Sequence, residues 1–153
     1  MAIHAKNKKC IGLIFGGKSN EHQISIKSAI SIYKALSSSL IERQYVIKCI
    51  YINRNGLWFS NKDALSVLSN ESFSSNFDSF YPSKELNIFS NIDFNDVDIW
   101  FPILHGLNGE DGSMQGLFKI SQKPFLGAGI LGSATAMDKI ASKILLSIQR
   151  FLK

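Results

Sequence analysis

At 153 residues the chain is sized for one compact domain, and its 45% hydrophobic content is enough for a core. The net charge of +5 comes from scattered lysines and arginines that cluster only at Lys6, Lys8 and Lys9; without a basic stripe interleaved with aromatics, nucleic-acid binding is excluded as the expected role. No run approaches the ~20 apolar residues of a membrane helix, and two cysteines without metal-site spacing point to reduced core thiols and a cytoplasmic protein.

The first apolar run, Cys10 to Phe15, is too short for a signal-peptide core and ends in Gly16-Gly17. It predicts a strand buried on both faces, as in a parallel sheet. Ser19 or Asn20 is expected to cap the next helix, with Glu21 in its first turn. Ile26, Ile30, Tyr33 and Leu36 repeat at spacings of three and four, which predicts a helix running to about Ser37. Tyr45 to Ile52 is rich in β-branched residues and reads as a second strand. Asn53-Arg-Asn-Gly56 then suits a turn with positive φ, and Leu57-Trp58-Phe59 a returning hairpin arm. Asp63 to Leu68 predicts a small helix. Residues 70–95, rich in Ser, Asn and Phe, predict an irregular connection with a short strand near Leu86–Phe89.

Val97 to Leu104 predicts the next buried strand, followed by the glycine-rich His105-Gly-Leu-Asn-Gly-Glu-Asp-Gly112 and a helix from Ser113 to Ser121. Pro124 to Leu126 reads as a short strand, and Ser133 to Phe151 as helix with a break near Met137–Asp138. Alternation of this kind predicts an α/β fold, a Rossmann-like parallel sheet with helices on both faces. Ligands of such sheets bind in the loops at the C-terminal strand ends.

Two of those loops carry the candidate chemistry. Gly16-Gly17 allows a tight turn that delivers Glu21 to a strand end, where a carboxylate can hold an ammonium; its bland role is to complement the helix dipole. Neither GxGxxG nor GxxxxGK[ST] is present, so the loop is not a phosphate signature. His22 alone reads as a surface or packing histidine. In the second loop His105, Glu110 and Asp111 crowd one strand end; with Glu21 they can form a polar pocket for a small zwitterion, or act only as turn and capping acids. Lys139 can reach a phosphate, though lysines on solvated helix faces are far commoner.

These segments, in this order, resemble the D-alanine–D-alanine ligases. Phe15-Gly-Gly-Lys-Ser-Asn-Glu-His-Gln-Ile-Ser25 is similar to the family's opening loop. His105-Gly-Leu-Asn-Gly-Glu-Asp-Gly-Ser-Met-Gln-Gly116 matches the signature HGxxGEDGxxQG without a mismatch. Gly127-Ala-Gly129 with Ser133 to Lys139 resembles the lead into the ATP-binding half. The resemblance implies a preATP-grasp domain over residues 1–130 and the start of an ATP-grasp region over 131–153. It implies an enzyme that uses ATP and Mg²⁺ (or Mn²⁺) to join two D-alanines through an acyl phosphate for peptidoglycan. Glu21 matches the catalytic glutamate that binds the first alanine's ammonium, Ser25 the serine supporting it, and His105 and Glu110 residues of the same pocket. Lys139 matches a lysine near the nucleotide phosphates. A homodimer through this domain is also implied.

Family members run to roughly twice this length, and the metal-binding acids and phosphate clamp are expected beyond Lys153. Phosphoryl transfer depends on such groups, so the chain alone is expected to be inactive. Two alternatives are a non-catalytic module that binds ligand weakly or pairs with a separate C-terminal half, and an unrelated flavodoxin-like binding domain.

Overall fold

The computed structural model describes residues 8–38, 44–70, 75–76 and 94–151. The strand expected near Leu86–Phe89 lies outside them. Strand β1 spans Lys9–Gly16, helix α1 His22–Leu36, β2 Tyr45–Ile52 and β3 Trp58–Phe59. Helix α2 spans Asn61–Ser69, β4 Ile99–Ile103, α3 Ser113–Ile120, α4 Ile130–Met137 and α5 Lys139–Phe151.

The strands form one sheet in the order β3-β2-β1-β4. β1 pairs in parallel with β2 and with β4, while the short hairpin arm β3 runs antiparallel at the edge. Burial on both faces explains why β1 reads as a continuous apolar run. Its period of two divides the core. Leu13 and Phe15 join Cys49, Tyr51 and Ile103 beneath Ile26 and Ala29 of α1 and Ala64 and Val67 of α2. Ile14 faces the other way, with Ile50, Ile52, Trp100 and Leu104 beneath Met114 and Phe118 of α3. Helices therefore cover both faces, as expected. Cys49 is a buried free thiol, its ionisation pushed up to about 12 by burial, whereas Cys10 is only half-buried.

Two elements depart from the expected boundaries. β4 is shorter than Val97–Leu104, because Phe94–Asp96 forms a 3₁₀ turn that tucks Val97 into the core before pairing begins. Pro124–Leu126 is a single parallel bridge in place of a strand: Trp100 N–H donates to Pro124 O at 2.9 Å and Leu126 N–H to Trp100 O at 2.9 Å. The break between α4 and α5 falls at Asp138, as expected. There Oδ1 accepts the N–H groups of Ile140 and Ala141 at 2.8 and 3.0 Å, and those two bonds hold the carboxyl below its ordinary range.

The chain passes from β1 through α1 to β2 on one side, and later crosses back to place β4 on the other side of β1. The C-terminal ends of β1 and β4 thus flank the switch point of the sheet, where a crevice forms. Both candidate loops emerge there.

Candidate functional site

The first loop begins with a backbone reversal at Gly16 and Gly17, each with φ of +94°, a region open to glycine at no steric cost. Gly17 N–H donates to Ile52 O at 2.8 Å. Ser19 does not cap α1. Its hydroxyl donates to His105 O at 2.6 Å and accepts the N–H of Glu21 at 3.1 Å, which ties the first loop to the second. Glu21 occupies the N-cap position itself, without a side-chain capping bond, and no acid stands in the first turn. That departs from the expected capping by Ser19 or Asn20, because the tertiary bond to His105 outcompetes a local one. The Glu21 carboxylate is instead free to lie across the second loop. A Cβ placed on Gly106 would stand 2.5 Å from Glu21 Oε2, so the absent side chain is what admits the carboxylate.

Ser25 is fully buried. Its hydroxyl accepts Gly16 N–H at 2.7 Å and donates to Ile103 O, which joins the ends of β1 and β4. It is a strut behind the site, not part of its surface. Ser25→Ala would strand a buried donor and a buried acceptor. A loss of about 1–3 kcal/mol is expected in urea unfolding, and a loss under about 0.5 kcal/mol would count against the strut.

In the second loop Glu110 folds back: Oε2 accepts Gly106 N–H at 2.7 Å, and Oε1 lies 3.9 Å from His105 Nδ1. Asp111 turns the other way and accepts the N–H groups of Asn108 and Ser113 at 2.8 and 3.0 Å. For Asp111 the bland role of a turn and capping acid prevails. Partial burial pushes its carboxyl up, but the Asn108 and Ser113 N–H groups outweigh this and hold it below the ordinary value. A depressed folded value gives stability that is present above the unfolded value near ~3.9 and is lost as pH falls through the folded one. The stability gap between wild type and Asp111→Asn is therefore expected to hold constant at neutral pH and to close below about pH 4. A gap unchanged at about pH 2 would contradict the hydrogen-bonded carboxylate.

A cavity of about 210 Å³ lies between the loops, walled by Ile52, Trp58, Leu104 and Met114 together with Lys18 and His105. Glu110 lines a different cavity of about 300 Å³, shared with Gln115, Gly127 and Ser133 beside α4. Glu21, His105 and Glu110 therefore meet at one strand end, and neither of these two cavities is lined by all three. Lys139 is exposed at the start of α5 and lines neither cavity. Among the described residues no three His, Cys, Asp or Glu side chains gather as a metal site requires, and no helix there is long and apolar enough to cross a membrane.

His22, expected at the surface or in packing, is fully buried. Its partner Tyr51 was missed by sequence reasoning. The usable signal was its alternation with Cys49 on the inward face of β2, where a tyrosine hydroxyl needs a partner.

The two glycine-rich loops that meet at the β1/β4 switch lie within residues 10–128, the span matched by the family model for the D-Ala–D-Ala ligase N-terminus. The chain belongs to the D-Ala–D-Ala ligase family. A curated D-alanine–D-alanine ligase from Prochlorococcus marinus subsp. pastoris is 48% identical over 146 residues, 93% of this chain and 41% of that protein. Among solved structures, the VanG D-Ala:D-Ser ligase from Enterococcus faecalis matches at 31% identity with a TM-score of 0.71, covering 93% of this chain and 42% of the other. The D-alanine–D-alanine ligase from Coxiella burnetii matches at 28% identity, also with a TM-score of 0.71, over 93% and 41%. This member of the ligase family thus spans about 40% of the length of the relatives it matches.

Proposed function

We propose that the chain forms the amino-acid-binding, N-terminal part of an ATP-dependent D-alanine–D-alanine ligase, with residues 1–130 as its preATP-grasp domain and residues 131–153 opening the ATP-grasp region. The observation that carries it is the Glu21 carboxylate seated over Gly106, fixed there by the Ser19–His105 bond. Glu21 accepts the ammonium of the first D-alanine as a charge-assisted hydrogen bond. His105 flanks it, Ser25 holds the strand ends behind it, and Glu110 orients the His105-Gly106 turn. Lys139 is the candidate phosphate contact.

ATP and Mg²⁺ belong to the family's reaction; the described residues hold no carboxylate cluster that fits the metal, and toward the nucleotide they offer the exposed Lys139. The residues here bind and orient an amino acid, and no phosphoryl step is assigned to them. The product dipeptide would serve peptidoglycan synthesis in the cytoplasm, and the assembled enzyme would be a homodimer.

Addition of D-alanine to ¹⁵N-labelled protein is expected to shift the amide signals of Glu21, His105 and Gly106. Glu21→Gln should weaken that binding by about 10- to 100-fold, the loss of one charge-assisted bond. Unchanged affinity would sink the assignment. The lack of a carboxylate cluster among the described residues favours a second reading, a module that binds without turnover; phosphate release by this chain from ATP, Mg²⁺ and D-alanine would refute it.

A further inference from the structure

Behind the Gly16-Gly17 turn lies a pair of side chains that ammonium binding does not itself employ. His22 and Tyr51 are both fully shielded from solvent. His22 Nδ1 is 2.6 Å from Gly17 O, and Nε2 is 3.1 Å from the Tyr51 hydroxyl. A carbonyl oxygen only accepts, so Nδ1 carries the ring proton. In the neutral ring Nε2 then accepts from Tyr51. The two rings meet edge-on, with centroids 5.6 Å apart and planes at 69°, which leaves the imidazole little freedom to rotate.

The consequence falls on the loop. Gly17 is held at both polar groups, its N–H by Ile52 O and its carbonyl by His22. Orienting that carbonyl sets the plane of the peptide leading into Lys18. His22 is the first residue of α1, so its ring closes residues 17–22 into a ring of chain. Glu21 is the residue just before it, and it points outward over Gly106 while His22 points inward. The geometry points to His22 and Tyr51 as a positioning pair that closes the 17–22 loop and thereby holds the Glu21 carboxylate over Gly106. This rests on Glu21 as the ammonium acceptor.

The test separates positioning from mere core filling. In asparagine the amide nitrogen sits near the place of Nδ1; in glutamine it sits near Nε2. His22→Asn keeps a donor for Gly17 O although it empties more of the core, and His22→Gln fills more of the core but loses that donor. Expected are wild-type-like amide signals for Lys18, Ser19, Glu21 and Gly106 in His22→Asn, and displaced ones in His22→Gln. D-Alanine affinity should fall about five- to tenfold in His22→Gln, the worth of one hydrogen bond, and by less than about twofold in His22→Asn. Equal perturbation by both, or a milder glutamine variant, overturns the inference.

The imidazole ¹⁵N spectrum of the unaltered protein decides the matter even if a variant fails to fold. A bare Nε2 and a protonated Nδ1 are expected, and a proton resting on Nε2 overturns the pair. If D-alanine causes no shift in wild type while the asparagine and glutamine variants still separate, the loop closure stands and the ammonium-binding role of Glu21 falls.

Discussion

Gly16→Ala is expected to destabilise the protein by about 3–5 kcal/mol, from a left-handed conformation and a steric collision acting together. At φ of +94° an L side chain is already strained. The new Cβ would also run into the carbonyl oxygen of Ile52 and come within 3.0 Å of Tyr51 Cε2. Ile52 O cannot withdraw, because it accepts the N–H of Gly17 at 2.8 Å. Moving Gly16 instead would break its own bond to Ser25. The damage should therefore reach the candidate site as well as the fold, since Glu21 is only five positions on. Gly116→Ala is the control. Gly116 lies inside α3 with nothing within 4 Å of an added Cβ, so it should be neutral or stabilising by about 0.5–1 kcal/mol. Chemical unfolding of the two variants checks the contrast. A Gly16→Ala loss under about 1 kcal/mol would mean the turn is free to relax.

Trp100→Ala should cost about 3–5 kcal/mol. Trp100 is fully buried in β4, stacked on Phe118 at 5.3 Å and 16° and tilted against Phe94 at 5.3 Å. It packs over Gly12 of β1, where an added Cβ would stand 2.6 Å from Trp100 Cε3 and 2.9 Å from Val97 Cγ1. That gives a sharper check than the single variant. Gly12→Ala alone should cost about 1–3 kcal/mol through overpacking, and less in the Trp100→Ala background, where most of the obstruction is gone. Strict additivity in the double-mutant cycle would show that the two positions do not share the contact.

Much of the fold was legible because its signals are local. Cys10 to Phe15 is apolar at every step but one, as a strand covered on both faces must be, and α1 shows its spacing of three and four. The break at Asp138 was legible as well, since the bonds that make it reach only two and three residues ahead. The short bridge at Phe125 was misjudged as a strand for the opposite reason: it forms only where the chain meets Trp100 of β4, a contact that is not local in sequence.

The site divides along the same line. The two glycine-flanked motifs, and the family they signal, were determined by the residue order alone, because turns, capping acids and apolar runs act over a few neighbours. Which side chain does what was decided only in three dimensions. Ser19 was expected to cap a helix but bonds to a residue 86 positions away, and Ser25 reaches across 78. Glu110 and Asp111, adjacent in sequence, serve different backbone groups on opposite sides of one turn. His22 finds Tyr51 through the parallel register of β1 and β2, which sets Phe15 beside Tyr51. A hydrogen bond forms where donor and acceptor meet, and strand pairing, not sequence spacing, brings these together.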